Sequence, residues 1–161
     1  MSTVKRVIAY RLLPGLALLL VCAAGFLKWQ DTSVRAAAVA RAESVHAATE
    51  GTIALLSYRP DTVQQDLDAA RGRLTGEFLN AYTSLTHDVV IPGARQKQIS
   101  AAATVPAATS VSATANHAVV LLFVNQTIIV GQGMPTSTAS SVRVTLDKID
   151  GRWLVSQFDP V

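Results

Sequence analysis

The sequence predicts an α+β fold in which one N-terminal transmembrane helix precedes helices packed on a curved antiparallel sheet. Residues 7–27 form an apolar run long enough to cross a bilayer as a helix. Residues 29–57 repeat small or apolar side chains at alternating spacings of four and three, which is typical of a helix with one buried stripe. After Lys97 the chain is rich in Ala, Val, Thr and Ser, and its last hairpin turns at Asp150-Gly151.

The apolar run is predicted to be a retained anchor in the plasma membrane, with a cytoplasmic N-terminus. Lys5 and Arg6 precede the run and follow the positive-inside rule. Arg11, Lys28 and Trp29 are expected to anchor the span at its two interfaces. A cleaved signal peptide is the alternative, because a charged tip and an apolar run fit it as well.

The predicted division of the chain follows from this anchor. It comprises a cytoplasmic tip (1–6), a single transmembrane helix (7–28), a helical stalk (29–50) and an extracytoplasmic α+β cone domain (51–161). Small residues in the span would permit close contact with partner helices, although they equally fit an isolated span; they are Gly15, Ala17, Ala23, Ala24 and Gly25.

Charge and cysteine content exclude several classes of function. Residues 1–28 carry four basic side chains and no acid, whereas residues 29–161 carry ten basic and eleven acidic side chains. The folded part is thus nearly neutral and lacks the basic excess of a nucleic-acid-binding domain. Cys22 is the only cysteine, so neither an intrachain disulfide nor a thiolate zinc site is expected.

Three helical segments are predicted before the sheet. The stripe on the first consists of Val34, Ala38, Val45, Ala48, Thr52 and Leu55, and Arg41 interrupts it. Asp61 is expected to cap a short helix from Thr62 to about Arg71, and Thr75 to cap a third one. The predicted buried side of the third helix consists of Phe78, Leu79, Tyr82 and Leu85.

The strands are predicted from β-branched and apolar runs. Ile99–Val105, Ser110–Ala115, Ala118–Val130 and Ser141–Ile149 are the candidates, with the third central because both of its faces begin apolar. Pairing across Asp150-Gly151 places Val155 opposite Leu146 and Trp153 opposite Lys148.

No catalytic constellation is evident, so the chain is predicted not to be an enzyme and to need no cofactor or metal. His46, His87 and His117 lack the spacing of metal ligands, and no Ser-His-Asp or Cys-His arrangement has support. Asn125 and Gln126 interrupt an apolar strand; they fit either a pocket wall or an edge or bulge position. Tyr82 is a further pocket candidate.

Four stretches in order resemble the Mce-associated membrane proteins of mycobacteria and related actinobacteria. They are ALLSYRPDTVQQDLDAARGRLTGEF (54–78), VVIPGARQKQIS (89–100), AVVLLFVNQT (118–127) and SVRVTLDKIDGRWLVSQFDPV (141–161). The resemblance implies a nuclear transport factor 2-like cone outside one membrane helix. It further implies an accessory or stabilising subunit of an Mce-type lipid import complex, with complex subunits and the bilayer as partners and no catalytic residues.

Two other functions remain open from the sequence. One is a cone that binds a lipid or another small molecule at the membrane. The other is a subunit of a type IV secretion-like assembly, which shares the plan of a span followed by a cone.

Overall fold

The structure is a computed structural model that describes residues 34–161. Residues 34–56 are helical (α1), and three shorter helices follow: α2 (Val63–Arg71), α3 (Gly76–Leu85) and α4 (Ile91–Lys97). A π-helical turn, Thr86–Val90, joins α3 to α4. The sheet has four strands: β1 (Ile99–Ala113), β2 (His117–Val130), β3 (Thr136–Ile149) and β4 (Arg152–Pro160).

Residues 37–161 form one compact unit, and Met1–Ala36 belong to another. The predicted span lies outside the described residues, as do its contact candidates and the interface anchors Arg11, Lys28 and Trp29. Within residues 34–161, no helix is both long and apolar enough to cross a membrane.

The sheet is an antiparallel meander in the order β1-β2-β3-β4, with β2 correctly predicted as a central strand. Alternate residues of β2 are fully buried beneath the helices: Ala118, Val120, Leu122 and Val124. Their partners on β3, Val142, Val144 and Leu146, continue the same buried face, so the core lies between this face and the helices.

The helix α1 packs through a face of small residues. Ala40, Ser44, Ala48 and Thr52 recur every four residues and are almost completely buried. A Cβ atom added at Gly51 would lie 3.3 Å from Val155 of β4, which shows how closely the helix approaches the sheet. The predicted stripe is correct at Ala48, Thr52 and Leu55, and Val45 is partly buried against the core. Val34 and Ala38 are exposed, because Ala40 and Ser44 form the buried face there.

The helix caps differ in part from prediction. Thr75 precedes α3 as predicted, whereas Thr62, not Asp61, is the N-cap of α2 and donates its hydroxyl proton to Asp66 at 2.7 Å. Leu85, expected to be buried, is 55% exposed because the π turn follows it immediately.

The strand β1 is one continuous strand and not the two that the sequence predicts. Val105 and Pro106 bulge out between the pairs Thr104–Asn125 and Ala107–Phe123. The chain resumes pairing with β2 after this bulge, so the proline bends the strand without ending it. β3 likewise begins at Thr136, five residues before the prediction, because its Ser/Thr run pairs with β2.

Candidate functional site

The clearest cavity is an apolar pocket of about 250 Å³ among the helices and strands β2 and β4. Its wall is aliphatic and aromatic with two polar side chains, Thr86 and Gln126. The other residues of the wall are Leu55, Leu56, Tyr58, Leu67, Phe78, Tyr82, Leu85, Val90 and Phe158. Phe78 and Phe158 stack nearly parallel with ring centroids 6.1 Å apart, which joins α3 to β4 at this wall.

Two of the three predicted pocket residues, Tyr82 and Gln126, lie in this wall. The Tyr82 hydroxyl donates to the carbonyl oxygen of Leu55 at 3.2 Å, and Gln126 Nε2 donates to that of Leu56 at 3.1 Å. Both acceptors belong to the last turn of α1, where carbonyl groups lack helical partners. The two side chains therefore close the end of α1 while they line the pocket.

Asn125, the third predicted pocket residue, lies on the other face of β2. It is exposed and pairs with Thr104 and Ala139. The edge or bulge interpretation is wrong for Asn125 and Gln126, because both are paired on each side within a central strand.

The tyrosines of the pocket are held in their neutral form. Burial raises the pKa of Tyr82 far above its ordinary value, and the neighbouring Tyr58 raises it further. Burial also raises the pKa of the half-buried Tyr58. Among residues 34–161, the Tyr58 hydroxyl has no hydrogen-bond partner, so it is an available donor.

The π turn forms one side of the pocket. Thr86 donates its hydroxyl proton to the carbonyl oxygen of Tyr82 at 2.7 Å and lies 3.1 Å from that of Thr83. Leu85 immediately precedes the turn, Val90 is its last residue, and both line the pocket. Single π turns inside helices are frequent at functional sites.

A second candidate surface is the outer face of the sheet, on the side away from the helices. Its row on β2 consists of Val119, Leu121 and Phe123, and the Phe123 side chain is 48% exposed. Strands β1 and β2 contain no Lys, Arg, Asp or Glu. The row borders Ala107 of β1 and Arg143 of β3. We refer to this surface as the outer sheet face.

Each of the three histidines lies beside an exposed carboxylate. His46 lies 3.3 Å from Glu50, His87 lies 3.2 Å from Asp88, and His117 Nδ1 lies 2.7 Å from Asp147. The last hydrogen bond lowers the pKa of Asp147. The sequence alone does not reveal this pair, because its members are 30 residues apart and only the β2–β3 register places them opposite each other. The described part of the chain contains no cluster of three or more metal-ligating side chains.

Solved structures share this fold. An IcmL-like type IV secretion system protein from Legionella pneumophila matches with a TM-score of 0.63 at 13% identity, covering 75% of this chain and 93% of that one. The VirB8 protein of Agrobacterium tumefaciens matches with a TM-score of 0.58 at 17% identity, covering 72% and 88%. At identities this low, the matches show the fold alone. They confirm the predicted nuclear transport factor 2-like cone.

No model of a known protein family matches the chain. Two proteins of Mycobacterium tuberculosis strain H37Rv are similar in sequence. Outer membrane protein Rv1973 is 76% identical over 157 residues, which are 98% of both chains. The protein named "Uncharacterized protein Rv1362c" is 47% identical over 119 residues, which are 73% of this chain and 54% of that one. Neither name mentions Mce, so membership of the Mce-associated membrane proteins stays a prediction. The extent of the first match shows that the chain belongs to the same family as the mycobacterial outer membrane protein Rv1973.

Proposed function

We propose that this chain is a non-enzymatic, membrane-associated accessory protein of the cell envelope that acts through contacts with protein partners. The observation that carries the proposal is the outer sheet face, where Phe123 stays half exposed on an uncharged pair of strands. Exposed apolar patches on soluble domains commonly mark interaction sites. The name of its relative, outer membrane protein Rv1973, supports a place in the envelope.

The edge strand β1 is consistent with a surface that is specific and does not aggregate. An uncharged edge strand invites pairing with other chains, and proteins oppose this with prolines and bulges. β1 has Pro106 in one bulge and a second bulge at Val111. At its start, the backbone of Tyr58 pairs with Ala101 in both directions at 2.9 Å and covers the edge. We therefore assign partner contact to the face of the sheet and not to its edge.

The partner that we propose is a subunit of an Mce-type lipid import complex. Support comes from the sequence resemblance of four ordered stretches, including the β2 segment and the last hairpin. In this proposal a membrane helix formed by residues 7–28 holds the cone outside the plasma membrane, and the outer sheet face meets an extracytoplasmic subunit. A secretion-type assembly is the competing partner, although only the fold is shared with such proteins.

Affinity purification of the full chain from native membranes tests this proposal. We expect subunits of an Mce importer, identified by mass spectrometry, to co-purify with the wild-type chain. Phe123→Lys should reduce their recovery at least about tenfold, because it introduces a charge into an apolar contact. Gln65→Lys, at an exposed position of α2, is the matched control and should retain them. Recovery of secretion subunits instead, or full recovery with Phe123→Lys, contradicts the proposal.

A further inference from the structure

We propose that the apolar pocket beside the π turn binds one slender, uncharged alkyl chain that ends in a hydroxyl or ester oxygen. This activity does not depend on the protein partner proposed above. The pocket is small, with a volume of about 250 Å³. An apolar cavity of about 150 Å³ is known to stay dry and to hold a benzene molecule. The larger pocket therefore suits a single chain and excludes a whole two-chain lipid.

The wall of the pocket is uncharged. None of the side chains that line the pocket is acidic or basic. A buried carboxylate or ammonium group would lack a partner there, and an unpaired buried charge is very costly. A ligand with a neutral terminal oxygen avoids this cost, whereas a fatty acid would have to leave its carboxylate outside.

Only some of the polar groups in the wall are available to hydrogen-bond a ligand. The Tyr82 hydroxyl and the Gln126 amide group each donate to a carbonyl oxygen of α1, so these donors are occupied. The Tyr58 side chain lines the same pocket, and its hydroxyl makes no hydrogen bond to any part of the chain that the structure describes. It can donate to one neutral oxygen, which accounts for a hydroxyl or ester end on the ligand.

The pocket is accessible from the protein surface. Leu85 lines the pocket and is also 55% exposed, so the wall reaches the surface at the π turn. Val89, in the same turn, is 60% exposed. The two apolar side chains stand where a hydrophobic chain would enter, and such a rim eases its transfer from a lipid phase.

Photolabelling of the full chain in lipid nanodiscs tests this inference. The probe is a decanol that carries a diazirine group in its chain, and labelled peptides are mapped by mass spectrometry. We expect labels on pocket residues such as Tyr58, Phe78 and Phe158. Excess 1-decanol should reduce the labelling at least about fivefold, whereas decanoate at equal concentration should compete weakly. Labelling centred on Phe123 of the outer sheet face, or equal competition by decanoate, overturns the inference.

A pair of valine variants provides the control. Val90→Phe adds a ring to a side chain that lines the pocket, and it should reduce pocket labelling at least about fivefold. Val39→Phe adds the same ring at an exposed position of α1 that does not line the pocket, and it should leave labelling unchanged. Should Val90→Phe fail to fold, the position of the label on the wild-type chain decides the matter alone. Equal labelling of two folded variants overturns the inference.

Discussion

Trp153 donates its indole proton to Oε2 of Glu43 at 3.0 Å, which joins two residues that are 110 positions apart. The same carboxylate oxygen accepts a hydrogen bond from Lys148 Nζ at 2.7 Å. The Lys148 ammonium group lies 5.4 Å from the centre of the Trp153 ring. Lys148 and Trp153 are cross-strand partners in the last hairpin. Glu43 thus fastens α1 to the β3–β4 hairpin.

This contact predicts how stability depends on pH. The hydrogen bonds from Lys148 and Trp153 lower the pKa of Glu43 below its usual 4.5. Because the folded-state pKa is lowered, the contact stabilises the fold above the unfolded-state value, and that contribution is lost as pH falls through the folded one. Glu43→Gln should therefore lose less stability than the wild type between neutral pH and about pH 3.

Chemical unfolding of the full chain in mild detergent, repeated over this pH range, checks the expectation. Glu77→Gln, at an exposed position of α3, is the matched control and should follow the wild-type curve. Asp147, whose pKa is lowered chiefly by His117, leaves some acid sensitivity in every variant. The interpretation fails if Glu43→Gln and Glu77→Gln give the same pH dependence.

Adjacent leucines of β2 test which face of the sheet carries the core. Leu122 is fully buried, and Leu122→Ala should lower the free energy of unfolding by about 3 kcal/mol. Leu121 points to the outer sheet face and is only partly buried, so Leu121→Ala should cost less than about 1.5 kcal/mol. Equal losses, measured by denaturant unfolding, would mean that the side chains of β2 do not alternate as described.

The small-residue face of α1 predicts a strong effect of side-chain size. Ala48 is fully buried in the core, so Ala48→Leu should destabilise the domain by about 1–3 kcal/mol through overpacking. Ala42→Leu, at an exposed position of the same helix, should change stability by no more than about 0.5 kcal/mol. Thermal melting compares the two, and a tolerated leucine at position 48 would argue against close packing of α1.

Replacing either of two glycines by alanine should change the free energy of unfolding, but in opposite directions. Gly151 has a φ of 78° in the last hairpin, where an added Cβ atom costs about 1–2 kcal/mol. Gly93 lies inside α4, and a Cβ atom there would meet no atom within 4 Å, so Gly93→Ala should stabilise by about 0.5–1 kcal/mol. Unfolding free energies of both variants check this, and a stabilising Gly151→Ala would exclude the assigned turn.

The sequence was most informative where local chemistry determines local geometry. Asp150 and Gly151 both adopt positive φ, as the predicted hairpin turn requires, and Leu146–Val155 and Lys148–Trp153 pair as predicted. Thr75 was recognisable as the N-cap position of α3, although its side chain makes no capping hydrogen bond. The class of fold followed from the order of helical and strand periodicities.

Features that depend on distant contacts were not predictable from one sequence. The continuity of β1 past Pro106 depends on its pairing with β2, which a local reading of proline misses. The π turn has no characteristic composition, so Leu85 was wrongly expected to be buried. The pocket joins Leu55 to Phe158, about a hundred residues later, and only the folded arrangement brings them together.

Site-specific photocrosslinking in native membranes most directly tests the proposal that this protein works by contact with a partner. A photoreactive phenylalanine analogue replaces Phe123 on the outer sheet face, or Gln65 on α2 as the control. We predict that position 123 crosslinks to an extracytoplasmic subunit of an Mce-type importer and that position 65 does not. Equal crosslinking at both positions, or none of an importer subunit at position 123, would contradict the proposal.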